Sequence, residues 1–245
     1  VADRRQPSAQ LVPVNPNGGS QVDVLVVYSR GANELLLQQM DGTFSKTTLE
    51  GELGNARLVL VGDFDADGWE DLYGWSSDRG ALFHGNGDGT YAAPQAIAGG
   101  WNLPCFAGDL EPDGDTDMVL RDWDGSLSLR RGGFEVLTAP NEPLGVSVSA
   151  FRSGTMIDLN ADELQDIVVT SDLDQFVLPG RTDGTLGAPL EIPFPVIPDA
   201  ARLIAPLDGD LFPDAIGRRG NDIVVCVGRG DFTFEQIPGE PLAQG

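Results

Sequence analysis

The stretch DFDADGWEDL at residues 63–72 recurs along the chain, and this recurrence determines the fold prediction. Four segments align with it: NPNGGSQVDV at 15–24, which is the weakest copy, DLEPDGDTDM at 109–118, DLNADELQDI at 158–167 and PLDGDLFPDA at 206–215. The five copies are spaced by 48, 46, 49 and 48 residues. Self-similarity at a fixed period of this length indicates a repeat architecture. The first nine residues of these copies are called, in chain order, acidic loops one to five, so loop one begins at residue 15 and loop two at residue 63.

A second marker keeps the same period. It is a short glycine-rich turn found as DGTF at 41–44, DGTY at 88–91, GGF at 132–134, DGTL at 183–186 and GDFTF at 230–234. Two independent markers that stay in phase along the whole chain are hard to obtain by chance.

Four short apolar runs surround these markers in each repeat. One precedes the acidic loop, as at 57–62, and a second follows its last Asp, as at 166–170. A third follows a polar turn, as at 222–227, and a fourth follows the glycine-rich turn, as at 233–237. Four strands in about 48 residues are typical of a propeller blade. The segment NELLLQQM at 33–40 has helical propensity, but its phase predicts the third strand of the first repeat.

The repeats therefore predict an all-β protein, a β-propeller in which one domain over residues 1–245 consists of five four-stranded blades. An open arc would expose the faces of the end blades, so we expect a closed ring. The predicted blades cover residues 9–50, 56–98, 102–138, 148–192 and 201–237.

Composition excludes several classes of partner. There are 38 acidic and 15 basic residues, so the formal net charge is −23. This charge argues against binding to nucleic acid and to anionic membranes. No run of about 20 apolar residues is present, so we expect no membrane insertion. Cys105 and Cys226 fall on distant strands of blades three and five, and we expect two free thiols rather than a disulfide.

The acidic loops point to a metal ion. In the pattern D-x-D-x-D-G-x-x-D, carboxylates at positions 1, 3, 5 and 9 converge, and the carbonyl of position 7 completes a set of hard oxygen ligands that suits calcium. An EF-hand would need a glutamate at position 12, where the chain has Gly74, Leu120 and Val169. The alternative interpretation is that the loops are only solvated acidic turns.

The repeat resembles the FG-GAP and VCBS family of calcium-binding β-propellers over about residues 10–237. The resemblance implies about three structural Ca²⁺ ions, in loops two, three and four. The implied ligands are Asp63, Asp65, Asp67, Trp69 and Asp71; Asp109, Glu111, Asp113, Asp115 and Asp117; and Asp158, Asn160, Asp162, Leu164 and Asp166, with Trp69, Asp115 and Leu164 acting through their carbonyls. Glu163 replaces the turn glycine of loop four. We expect no calcium in loop one, and loop five lacks a ligand at its first position, Pro206.

A ligand surface is predicted at the opposite end of the blades. In a four-stranded blade the acidic loop and the turn between strands three and four share one end, which leaves the other end free. Aromatic and arginine residues concentrate there and suit sugars or a protein interface: Trp75, Trp101, Arg121, Asp122, Trp123, Arg218 and Arg219. The alternative is that Trp75 and Trp123 pack between blades.

Two functional classes follow. The first is a secreted, calcium-stabilised binding module that recognises carbohydrate or a protein. The second is an enzyme of lyase, hydrolase or cyclase type with an Arg/Asp/aromatic site. The one histidine, His84, falls beside the calcium end, which disfavours a Ser-His-Asp triad at the ligand end. Calcium modules that bind at about 10⁻⁴ to 10⁻³ M fill only outside the cytosol, so we expect an extracellular or periplasmic location.

Overall fold

The computed structural model describes residues 9–28, 32–49, 58–76, 79–96, 103–111, 113–133, 140–149, 151–171, 175–192, 203–219 and 222–237. All regular structure in these ranges is β-strand. The strands form five antiparallel sheets of four strands each, and in every sheet the strands are neighbours in chain order. Among these residues no helix is long and apolar enough to span a membrane. The predicted all-β class with four strands per repeat is confirmed.

The strand boundaries follow the predicted repeat. The first sheet contains β1 (Ala9–Val14), β2 (Asp23–Tyr28), β3 (Glu34–Gln38) and β4 (Phe44–Thr48), and the second contains β5 (Leu58–Gly62), β6 (Asp71–Ser76), β7 (Arg79–Phe83) and β8 (Gln95–Ala96). The third contains β9 (Leu103–Gly108), β10 (Asp117–Arg121), β11 (Ser126–Arg130) and β12 (Glu142–Ser147). The fourth contains β13 (Phe151–Ile157), β14 (Asp166–Ser171), β15 (Gln175–Leu178) and β16 (Leu190–Glu191), and the fifth contains β17 (Leu203–Ala205), β18 (Asp214–Arg219), β19 (Asp222–Gly228) and β20 (Phe234–Gln236).

Two segments test the phase of the repeat. The run NELLLQQM forms β3, as its phase predicted, because pairing with β2 and β4 overrides its helical propensity. In the third sheet, β12 begins at Glu142, beyond the predicted blade end at residue 138. The turn marker of this repeat is GGF, without the Asp and Thr of the other markers, and residues 134–139 after it lie outside the described residues.

Contacts divide the chain into two compact units, one of residues 1–107, 114–118 and 130–141 and one of residues 108–113, 119–129 and 142–245. The core of the first unit lies between the first and second sheets, and the core of the second lies between the fourth and fifth sheets. Cys226 is fully buried in the second core, and neither Cys105 nor Cys226 is part of a disulfide among the described residues. Closure of the five sheets into one ring stays a prediction.

Candidate functional site

The last Asp of an acidic loop joins that loop to the turn between strands three and four of its sheet, called the C–D turn. In the second sheet, Asp71 is fully buried. Its Oδ2 accepts the backbone N–H of Phe64 at 3.0 Å, and its Oδ1 accepts the N–H of Gly85 at 2.8 Å. A buried carboxylate is tolerated when hydrogen bonds replace its hydration, and here two backbone donors do so.

The same arrangement recurs in the fourth and fifth sheets. Asp166 accepts N–H bonds from Leu159 at 2.9 Å and from Gly180 at 2.8 Å. Asp214 accepts them from Leu207 at 2.7 Å and from Gly228 at 3.1 Å. Burial raises the pKa of Asp71 and of Asp166 to about 6, although the backbone N–H bonds oppose this rise.

A glycine is required where the C–D turn meets the acidic loop. A Cβ added at Gly85, Gly180 or Gly228 would lie 2.4, 2.4 or 2.3 Å from the carbonyl oxygen of the residue before the last Asp. That separation is too short for any side chain, so backbone must meet backbone directly. Sequence reasoning missed these residues, although a glycine 14 positions after the last Asp recurs in three repeats.

The outer carboxylates of acidic loop two converge. Asp63 Oδ2 accepts the N–H of Gly68 at 2.8 Å, and Asp67 Oδ1 accepts the N–H of Trp69 at 2.8 Å. One oxygen from each of Asp63, Asp65 and Asp67 lies within 4.8 Å of the other two. Three negative charges this close repel one another, and hard oxygen donors at this spacing fit a calcium ion.

Acidic loop four keeps this shape despite its altered glycine position. Asp158 Oδ2 accepts the N–H of Glu163 at 2.9 Å, and Asp162 Oδ1 accepts the N–H of Leu164 at 2.9 Å. Glu163 takes the left-handed φ of +69° where loop two has Gly68 at +86°. The Asn160 amide donates to Asp162 Oδ2 at 2.9 Å. The donor set therefore fits calcium in the same way, with one charge fewer.

The remaining loops differ from this pattern. In loop three, Asp109 Oδ1 accepts the N–H of Asp113 at 3.3 Å, and Asp117 Oδ1 accepts the N–H of Gly132 at 2.8 Å. The Glu111 side chain packs near the C–D turn of the fourth sheet, where a Cβ added at Gly184 would lie 3.3 Å from its Cγ.

In loop five, Asp210 Oδ1 accepts the N–H of Phe212 at 2.8 Å, as in the complete loops. Position 1 is Pro206, which has no side-chain oxygen. The fit to calcium is therefore poorer than in loops two and four.

His84 lies beside acidic loop two. Its Nδ1 is 2.6 Å from Asp65 Oδ2 and 4.0 Å from Asp71 Oδ1. The approach to Asp65 is close enough for an ion pair with a protonated ring but lacks hydrogen-bond geometry. The predicted placement of His84 at the acidic-loop end of its sheet is confirmed. Its direct contact with the loop was not predicted, because the sequence shows only that the C–D turn shares that end.

The Asp-Gly-Thr marker is a structural turn. In the second sheet, Asp88 Oδ1 accepts both the N–H and the hydroxyl of Thr90, at 3.0 and 2.5 Å. The equivalent pairs at 41/43, 183/185 and 231/233 are bonded alike. These Asp side chains are occupied by the turn itself.

At the opposite end of the third sheet, residues 122–125 form a tight turn between β10 and β11, called the ligand turn. The N–H of Asp122 bonds the carbonyl of Ser126 at 2.9 Å, and the N–H of Gly125 bonds that of Asp122 at 3.0 Å. Asp122 and Ser126 are bonded to each other, so residues 123–125 form a three-residue hairpin loop, whose last residue, Gly125, has the left-handed φ of +91° that such a loop requires. Trp123 lies at the tip and is 85% exposed.

Neighbouring chain fixes the ligand turn. The Arg121 guanidinium donates from Nε to the carbonyl of Val148 at 3.3 Å and from Nη2 to that of Ser149 at 3.1 Å. The N–H of Val148 bonds the carbonyl of Gly125 at 2.8 Å. Trp123 is therefore presented to solvent from a well-bonded backbone.

The other predicted ligand residues are placed differently. Trp75 is 8% exposed in β6, so it offers little surface to a ligand. Trp101 lies outside the described residues. Arg218 and Arg219 end β18, and their side chains lie outside the described part of the chain. The structure therefore brings together Arg121, Asp122 and Trp123 at one turn.

Comparison with known proteins identifies the repeat. The profile of the FG-GAP-like repeat matches residues 17–73 and again residues 63–120. Residues 17–120 therefore contain FG-GAP-like repeats. No curated protein matches its sequence.

Solved structures share the fold of this chain. One is a lectin from Agrocybe aegerita that recognises non-reducing terminal N-acetylglucosamine, with 20% identity and a TM-score of 0.69. The match covers 92% of this chain and 64% of the lectin chain, so the chain spans less than two thirds of that protein. Another is the Tc holotoxin pore of Photorhabdus luminescens, with 17% identity, a TM-score of 0.55, and coverage of 98% of this chain and 12% of that chain.

Proposed function

We propose that this protein is a secreted, calcium-stabilised β-propeller binding module that recognises carbohydrate through the ligand turn. The observation that carries the proposal is the exposed Trp123 on its fixed backbone. Tryptophan is normally largely buried, so an 85% exposed indole at a rigid turn needs a reason beyond packing. The likeness in fold to a lectin supports carbohydrate as the ligand class.

The chemistry of the turn suits a sugar. An indole offers an apolar face for stacking, and Asp122 and Asp124 flank it with polar atoms for hydroxyl groups. Asp124 Oδ1 accepts the N–H of Ser126 at 2.9 Å, and the Ser126 bonds hold the pKa of Asp124 below its usual value. Asp124 is therefore an ionised acceptor at neutral pH. Because the turn is already ordered, binding does not have to restrict it further.

Calcium has a separate, structural part in the proposal. The outer carboxylates of loops two to four would hold the ion, and the bound ion would neutralise repulsion that otherwise opposes the loop conformation. These loops lie at the C–D end of their sheets, and the ligand turn lies at the other end of the third sheet. A calcium requirement outside the cytosol supports secretion, because free calcium there is high enough to fill weak sites.

The test is a glycan array followed by titration of the best glycan, including one with terminal N-acetylglucosamine. Trp123→Ala should weaken binding by about 30-fold, which corresponds to about 2 kcal/mol for a central aromatic contact. The matched control is Met40→Ala, because Met40 is 96% exposed but lies in the C–D turn of the first sheet. It should bind like the wild type.

Other outcomes discriminate between the alternatives. Equal affinity of the Trp123 variant and the wild type would refute a role for the ligand turn. A chelator that abolishes binding without changing the melting temperature would refute a purely structural role for calcium. Conversion of an arrayed glycan during incubation would instead favour the enzyme class.

A further inference from the structure

Asp23, the last residue of acidic loop one, lacks a hydrogen bond that its counterparts have. It is 1% exposed, and its Oδ1 accepts the N–H of Gln38 at 2.7 Å. Its Oδ2 is buried without a hydrogen-bond partner among the described residues. In the second, fourth and fifth sheets the corresponding oxygen accepts the N–H of the loop's second residue. In loop one this residue is Pro16, which has no N–H.

Two more buried oxygens near Asp23 lack partners. The Oδ1 of Asn15 and the hydroxyl of Tyr91 have no hydrogen-bond partner within the described part of the chain. Tyr91 is 9% exposed and packs in the same core as Val14, which pairs directly with Asp23 between β1 and β2. The three oxygens therefore belong to one region between the first and second sheets.

Glu70 adds a second carboxylate to this region. Its Oε1 accepts the N–H of Asn15 at 2.5 Å, so it lies directly beside loop one. Burial raises the pKa of Glu70, and the charge of Asp23 raises it further. Burial also raises the pKa of Tyr91, and the carboxylates of Glu70, Asp71 and Asp23 add to that rise, which places the hydroxyl among these charges.

Buried charges in proteins are paired with opposite charges or coordinate metals. Among the described residues, neither Asp23 nor Glu70 is paired with a basic side chain. The donors are all oxygens, and the two carboxylates together balance a divalent cation. Oxygen-only donors with two negative charges suit calcium rather than a transition metal.

We propose that Asp23 Oδ2, Asn15 Oδ1, Glu70 and the Tyr91 hydroxyl form a calcium site between the first and second sheets. The site is distinct from the nine-residue pattern of loops two to four. Loop one contributes only its first and last residues, Asn15 and Asp23, and the repeat of the second sheet contributes Glu70 and Tyr91. Loop one has Asn15, Asn17 and Gly19 at positions 1, 3 and 5, which makes it a poor match to the nine-residue pattern but does not count against this site.

The test counts bound calcium by equilibrium dialysis of the whole chain against CaCl₂, with the far-ultraviolet circular dichroism spectrum as the check on folding. Asp23→Asn should lower the calcium count by one, and Tyr91→Phe should weaken one site about tenfold while keeping the ring in the core. Asp208→Asn in loop five should leave the count unchanged. Magnesium at the same concentration should bind this site less tightly, and equal affinity would overturn the assignment to calcium.

A second variant keeps the test decisive if Asp23→Asn does not fold. Pro16→Ala supplies the N–H that the other sheets have, so it should satisfy Asp23 Oδ2 and weaken the same site. An unchanged calcium count in both Tyr91→Phe and Pro16→Ala would overturn the proposal. The proposal would also be overturned if Tyr91→Phe increased stability by the same amount in calcium and in chelator. Such a result would show that the Tyr91 hydroxyl is buried without binding calcium.

Discussion

Removal of calcium from loops two, three and four should lower the melting temperature by about 15 °C, and loss of the ion proposed at Asp23 would add to this decrease. A ligand at a hundredfold excess over its Kd stabilises the native state by about 2.7 kcal/mol per site. Unfolding entropy scales with length, and for a chain of 245 residues it is about 0.5 kcal/mol per kelvin. Each site therefore corresponds to about 5 °C.

The assay is thermal unfolding followed by circular dichroism, in about 10 mM CaCl₂ and in excess chelator. Asp162→Ala in loop four should reduce the calcium-dependent shift by about 5 °C, the contribution of one site. In chelator it should change little, because the lost hydrogen bond to the N–H of Leu164 is offset by lower charge repulsion. The control, Asp208→Ala in loop five, should keep the full shift because Pro206 leaves that loop without its first ligand.

Identical melting temperatures in calcium and in chelator would refute the reasoning. The loops would then be solvated acidic turns, and the argument for a location outside the cytosol would fail with them. Magnesium offers a further discrimination. It prefers rigid octahedral sites and keeps its waters, so it should restore little of the shift.

Three further predictions concern stability and the thiols. Glu163→Gly should raise the free energy of unfolding in urea by about 1 kcal/mol, because glycine takes the left-handed φ of +69° without strain; no gain would contradict this cost. Gly180→Ala should lower the free energy of unfolding by about 2 to 4 kcal/mol, because the added Cβ would lie 2.4 Å from a backbone oxygen. Gly187→Ala should cost clearly less, because the nearest atom to its added Cβ would be 3.2 Å away, and equal losses would refute the steric argument. Thiol titration under denaturing, non-reducing conditions should find two free thiols, Cys105 and Cys226, and finding none would contradict the structure.

The repeat could be predicted from the sequence because its turns carry distinctive chemistry. An Asp-Gly-Thr turn is closed by its own aspartate, as the bonds between Asp88 and Thr90 show, so its position fixes where strands three and four must lie. The third sheet shows the limit of this reasoning. Its turn is GGF, without the aspartate and threonine, and β12 begins later than the period predicted.

The ligand end was harder to predict, because exposure depends on whether a residue falls in a strand or in a turn. Trp75 and Trp123 were placed on the same surface by their distance from the acidic loops. Trp75 is within β6, pairs with Leu58 and Gly80 on the neighbouring strands, and is buried. Trp123 falls just after β10, in a turn whose backbone is bonded to the segment after β12, and its ring is left in solvent. Trp75 lies four residues after the last Asp of its loop and Trp123 lies six residues after, so a difference of two positions separates a buried ring from an exposed one.

The acidic loops show why the residue types at the ligand positions do not fully describe the role of each residue in a repeat. The sequence pattern predicts that the last Asp of each loop is one calcium ligand among several. In three sheets, however, its two oxygens accept hydrogen bonds from backbone N–H groups of the loop and of the C–D turn. Its donors lie seven residues before it and 14 residues after it, so only the folded sheet brings them together. Loop one has this Asp, Asp23, although most of its other ligand positions are not carboxylates. This agrees with a structural role for the last Asp of the loop. Pro16 has no N–H, so one oxygen of Asp23 is buried without a hydrogen-bond donor among the described residues. This oxygen is recognised as unusual only when its hydrogen bonds are compared with those of the corresponding Asp in the other sheets.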